Sequence, residues 1–280
     1  FKLVIDIADS MGQTSVALNH AVAWNLEGKH VIVGSYRSAV TGPVALAASI
    51  AATPVISWGS TASSLSDRDT YPTLSRTVVS DAVLADSTIR ALSSMGWTRI
   101  AIIYVNDAWG RGFARDATSA ASDVGMDVVV AADYDLGDLS GMDRAVRRLA
   151  DAGSRITLVV AYDEVGTIAA LADQYGMMKS GYAWVVPEEN VTPELVTQSA
   201  DPESMLRQLT GWFTVAIDPM HGEQGPRFLQ VLEDTPLQHY NQSRMEELIA
   251  ASGVALDQCN QFCALAYDAV WTAAIALARV

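Results

Sequence analysis

The chain is 280 residues long, half of them apolar and 18% charged, which excludes an intrinsically disordered polymer and supplies a sizeable core. Acidic side chains outnumber Lys and Arg by 32 to 18, for a net charge of −14; such a charge repels phosphate backbones and excludes nucleic acid as a partner. Cys259 and Cys263 are the only cysteines, so neither a disulfide scaffold nor a structural zinc site is available.

Taken in chain order, the apolar run Leu3–Ile7 predicts a strand and Gln13–Leu26 a helix. The strand His30–Gly34, the helix Pro43–Ala52 with Pro43 in its first turn, and the strand Pro54–Ser57 follow. The stretch Ala39–Ser66 carries no charge, yet Gly42, Pro43, Pro54, Gly59 and a run of Ser and Thr break it into helix, strand and loop rather than a membrane span. Helical period returns over Asp81–Met95, Gly112–Val124, Asp143–Ala152 and Val165–Tyr175, interleaved with the strands Arg99–Val105, Asp127–Val130, Ile156–Ala161, Ala183–Val186 and Trp212–Ile217. Beyond Cys263 the apolar run contains Asp268 and Arg279 and reads as a packed helix, with the two thiols separate. Nearly continuous apolar strands alternating with helices predict an α/β protein with mostly parallel sheets, whose ligands sit at the carboxyl ends of the strands. Eight strands are many for one such sheet at this length, so two lobes are expected, breaking near Gly96–Arg99.

No nucleophile elbow, zinc-protease or phosphate-loop signature is present. Gly110-Arg111-Gly112-Phe113-Ala114-Arg115 imitates a dinucleotide fingerprint but places Arg115 where its third glycine belongs. A dinucleotide-dependent enzyme built on the Gly110 loop is therefore only the rival from another class, and no cofactor or metal is expected. The loops Gly34-Ser35-Tyr36-Arg37-Ser38 and Ser57-Trp58-Gly59-Ser60-Thr61 follow adjacent strands. Their hydroxyls and backbone N–H groups suit either a carboxylate or ordinary helix capping. Asp81 reads equally as a cap of its helix, and Trp109 and Tyr162 as core aromatics. Arg76 and Arg111 read as solvated or paired with a nearby Asp.

Those two loops, with Tyr71-Pro72-Thr73-Leu74-Ser75-Arg76-Thr77 and Asp81, resemble the receptor ligand-binding family of type I periplasmic-binding fold. Asn106-Asp107-Ala108-Trp109-Gly110-Arg111-Gly112 is similar to that family's Asp-x-Tyr-Gly turn; Ala161-Tyr162-Asp163-Glu164 and Leu265–Trp271 agree in order and spacing. Metabotropic GABA and glutamate receptors and bacterial branched-chain amino-acid binding proteins are the nearest in character.

The resemblance implies a two-lobed clamshell, lobe one being residues 1–97 plus 218–280 and lobe two 98–217. It implies that Ser38, Ser60 and Thr61 hold a ligand carboxylate, that Asp81 takes an ammonium, and that Trp109, Tyr162 and Glu188 close over the ligand from lobe two. The implied ligand is an amino acid or similar small carboxylate, reported by lobe closure. The implied setting is the extracellular face of a membrane receptor, dimeric through lobe one, with any membrane segment outside this chain; a periplasmic or secreted solute-binding protein is the alternative. Family members also carry elements before the stretch matching Lys2–Ile7 and after that ending near Val280, so the resemblance implies a longer natural protein. The sequons Asn190-Val191-Thr192 and Asn241-Gln242-Ser243 fit a secreted route.

Overall fold

The computed structural model describes residues 3–187, 191, 193–215, 217–218 and 261–279. Two parallel sheets organise them. The first contains β1 (Ile32–Val33), β2 (Val55–Ser57) and β3 (Leu74–Arg76), in that spatial order. Val55 pairs with both Ile32 and Leu74. Helices α1 (Thr14–Leu26) and α2 (Ser38–Ile50) pack on it, whereas α3 (Asp81–Ser94) buries Leu84, Ala85, Ile89 and Leu92 in the core of the second sheet. The second sheet, in the order β5-β4-β6-β7-β8, is built from β4 (Arg99–Val105), β5 (Asp127–Tyr134), β6 (Ile156–Val160), β7 (Ala183–Val186) and β8 (Trp212–Thr214). Its connections are α4 (Ala108–Asp123), α5 (Leu139–Ala152), α6 (Val165–Gln174), α7 (Pro193–Thr197) and α8 (Pro202–Gln208). A late helix, α9 (Gln261–Leu277), returns to the first sheet, where Ala269 and Ala273 pack on Ile56 and the Thr77 hydroxyl donates to the Leu265 carbonyl.

Burial explains the strand sequences. In β4, flanked by β5 and β6, Ile100, Ala101, Ile102 and Ile103 are fully buried, as a two-sided apolar strand requires. Each such isoleucine contributes roughly 1.5–3 kcal/mol. Helix α5 shows the complementary pattern. Met142, Ala145, Val146 and Leu149 face inward at helical spacing, and Gly153, at a φ of 64°, supplies the left-handed residue that ends the helix.

Several boundaries differ from expectation. Leu3–Ile7 forms no strand; Val4 and Ile5 are exposed, and no strand among the described residues pairs with the stretch. Beside it is a hollow of about 740 Å³ bordered by Ala8, Asp9 and Ser10 and by residues of α1 and β1. The eighth strand is instead Leu74–Arg76, too short to stand out by composition. Helix α2 starts at Ser38, so Pro43 is interior rather than first-turn. Proline has no N–H for the carbonyl four residues back, and the Thr14 hydroxyl donates to that carbonyl, of Ala39, at 3.3 Å. Helices α4 and α5 likewise begin four residues earlier than expected, at Ala108 and Leu139. Cys263, half-buried on α9, is a free thiol; Cys259 and both sequon asparagines lie outside the described residues.

Glycine spacing in α4 has a packing cause. A Cβ on Gly110 would lie 1.9 Å from the Val105 carbonyl oxygen, whereas one on Gly112 would meet nothing within 4 Å. Gly110→Ala should therefore destabilise the protein by at least about 2 kcal/mol, and Gly112→Ala should leave it unchanged or stabilise it by up to about 1 kcal/mol, both read from denaturant midpoints.

Candidate ligand-binding site

The carboxyl ends of β1 and β2 and the start of β4's following helix converge on one cleft. From the first sheet come Tyr36, Arg37, Ser38, Gly59 and Thr61; from the second come Trp109 and Tyr162. Counting the solvent at its mouth, the space between these walls is about 180 Å³, and the walls as they stand enclose little more than room for a water molecule.

The first wall is a buried hydroxyl network. Ser60 and Thr41 hydroxyls are 2.7 Å apart, and Ser60 also donates to the carbonyls of Ser35 and Tyr36. Ser57 donates to the same Ser35 carbonyl and accepts from the Ser60 N–H. The Ser38 hydroxyl accepts the Ala62 N–H at 3.1 Å. Arg76 donates from one guanidinium nitrogen to the carbonyls of Ser60, Thr61 and Ala62, at 3.0–3.2 Å, so it clamps the loop instead of pairing with an acid.

The second wall is set by Asp107. One of its oxygens accepts the Gly110 N–H at 2.8 Å, capping α4, and the other accepts the Tyr162 hydroxyl at 2.8 Å. Burial and that carboxylate push the Tyr162 phenol pKa well up. Trp109 packs on Tyr162 with ring centroids 4.6 Å apart. From the opposite wall, the Arg37 guanidinium lies over the Tyr162 ring at 4.6 Å.

Of the expected site residues, Ser38, Thr61, Trp109 and Tyr162 meet on this cleft. Ser60 and Asp81 do not line it. Ser60 is fully buried with its hydroxyl committed to the network. Asp81 opens α3 behind Thr61; the N-cap position is Ser80, so Asp81 is no cap. Glu188 lies outside the described residues. Arg37, Tyr36 and Asp107 were not among the expected contacts. Asp107 had a legible signal, an acidic residue three positions before Gly110 at a helix start, and Arg37 stood inside a loop already marked. Arg111 is exposed and donates to the Asn106 side-chain oxygen at 2.8 Å.

Asp81 is 0% exposed, and neither carboxylate oxygen completes a well-formed hydrogen bond among the described residues. Desolvation raises its pKa from 3.8 to about 7, opposed by the adjacent Thr61 hydroxyl, by Arg76 and by the Trp109 indole N–H, and reinforced by Asp116. The unfolded chain releases this proton near pH 4. The stabilisation of the neutral folded form is therefore complete below pH 4 and lost as pH rises through about 7. Asp81→Asn should flatten that pH dependence, matching the parent at pH 4 and exceeding it at pH 8 by up to roughly 4 kcal/mol, as measured by denaturant unfolding across that range.

The whole chain, residues 1–280, matches the family model described as the receptor family ligand binding region. Taste receptor type 1 member 3 of Felis catus is 27% identical over 151 residues, covering 51% of this chain and 17% of that protein. Metabotropic glutamate receptor-like protein E of Dictyostelium discoideum is 25% identical over 192 residues, covering 65% and 22%. The chain thus spans less than a quarter of either relative. A periplasmic binding protein from Burkholderia mallei superposes with a TM-score of 0.58 at 17% identity, covering 64% of this chain and 48% of that one. The chain therefore belongs to the receptor ligand-binding region family and has the α/β fold of the periplasmic binding proteins.

Proposed function

We propose that this chain is the ligand-binding module of a membrane receptor, taking an amino acid or similar small carboxylate between two lobes, residues 1–97 plus 218–280 and residues 98–217. The supporting observation is the shared cleft, with Ser38 and Thr61 on one wall and Trp109 and Tyr162 on the other. The first wall, at the N-terminal end of α2, suits a carboxylate. The second supplies aromatic faces. A ligand touching both lobes favours the closed form by its differential affinity, so closure reports occupancy. In this reading the module sits on the extracellular side and pairs through its first lobe; no described helix is long and apolar enough to cross a membrane.

The periplasmic neighbour favours a second reading, a solute-binding protein serving a transporter. The family is a ligand-binding one and not an enzyme, and Gly110 owes its identity to the Val105 carbonyl rather than to a phosphate.

A panel of amino acids and small carboxylates should raise the melting temperature by mass action. Thr61→Val, which keeps the shape and removes the hydroxyl, should weaken the hits roughly 10- to 100-fold. Titration calorimetry measures this, and unchanged affinity rejects the assignment. Ser38→Ala should weaken them as well, with about 1 kcal/mol of stability lost at the unpaired Ala62 N–H.

A further inference from the structure

Among the described residues lining the cleft, Arg37 is the only one that carries a formal charge. The neighbouring cations are committed elsewhere: Arg76 to three backbone carbonyls, Arg115 to Asp116 and the Ser63 hydroxyl. None of the ion pairs among the described residues involves Arg37. The Asp107 and Asp81 carboxylates do not pair with it. Both Asp107 oxygens are engaged, by the Gly110 N–H and the Tyr162 hydroxyl. Asp81 is fully buried outside the lining. The face of Tyr162, which would otherwise receive a ligand's cationic group, already holds the Arg37 guanidinium at 4.6 Å.

We propose that Arg37 determines specificity in this cleft by acting as a resident cation, so that the site selects small dicarboxylates over zwitterionic amino acids. This rests on the carboxylate-binding reading above. One ligand carboxylate sits on Ser38, Thr61 and the N-terminal end of α2, and the other pairs with Arg37. A guanidinium suits this role because its planar fork meets a carboxylate with two parallel hydrogen bonds while its face stays stacked on an aromatic ring. A ligand ammonium in the same place meets a like charge and a ring face already covered.

Succinate and 4-aminobutyrate, with the same four-carbon backbone and different second end groups, test the assignment by titration calorimetry and melting shift on the whole chain. Wild type should bind succinate at least about tenfold more tightly than 4-aminobutyrate. Arg37→Gln should abolish that preference while Arg37→Lys retains most of it. Arg37 is half-exposed outside the buried core, and the wild-type preference alone decides should the glutamine variant fail to fold. Equal or tighter binding of 4-aminobutyrate by wild type overturns the proposal, as does a preference unaltered by Arg37→Gln. Zwitterionic amino acids that bind through Thr61 and ignore Arg37 overturn this assignment alone. No binding by any carboxylate or amino acid overturns the underlying reading with it.

Discussion

The Arg76 guanidinium receives three successive backbone carbonyls, those of Ser60, Thr61 and Ala62, and the first wall of the cleft depends on it. These residues are buried almost completely, so their carbonyls have left water. A buried acceptor without a partner costs on the order of 1–3 kcal/mol, and a loop with three in a row would turn outward. Arg76 sits at the end of β3, directly beside Ser57 in the parallel register. The strand pairing thereby delivers the cation to the loop it holds. With the carbonyls taken, Thr61 keeps its place at the cleft while the hydroxyl of Ser60 turns back into the Thr41 and Ser35 network. One residue of the adjacent pair faces the cleft, and the other holds the fold.

The second wall solves a different problem by similar means. Tyr162 follows β6 and Asp107 follows β4, adjacent parallel strands, so their side chains meet at the same edge. Asp107 spends one oxygen on the helix N-terminus and one on the phenol. That fixes the ring's orientation before any ligand arrives, and Trp109, in the first turn of the helix that Asp107 caps, packs onto it. The cleft is thus lined by rings and hydroxyls whose positions are set by backbone-directed hydrogen bonds, which lowers the ordering cost of binding.

The architecture was legible because short apolar runs such as β4 alternate with segments of helical period, the pattern of a parallel sheet covered by helices. The short elements were not legible: β3 spans Leu74–Arg76 and owes its strand geometry to pairing with β2, a tertiary cause without local signal. Leu3–Ile7 carries the composition of a strand without a partner strand among the described residues. Four of the expected cleft residues meet on the cleft because hydroxyls and aromatics at strand ends are conspicuous. The resemblance puts Asp81 and Ser60 there as well, whereas their depth follows from packing behind Thr61 and against Thr41. Arg37 stands one residue before a helix start, and nothing local distinguishes a cleft arginine from a solvated one. Its significance comes from Tyr162, 125 positions later, arriving under it.

Charge decides what such a cleft can admit. The chain as a whole carries −14, a field that disfavours anionic ligands at long range, but at physiological salt that field is screened beyond about 8 Å. Contact-range groups therefore govern the bound state. Desolvation drives Asp81 toward its neutral form, with a pKa of about 7, and the Asp107 carboxylate is spent on its two donors. Asp81 is thereby muted by burial, while Asp107 keeps its charge with both oxygens occupied by donors. Arg37 lies on a ring face and joins no ion pair among the described residues. An anion reaching the cleft exchanges weak repulsion in solution for a close, partly desolvated cation, and the same geometry makes an incoming ammonium displace or face a guanidinium.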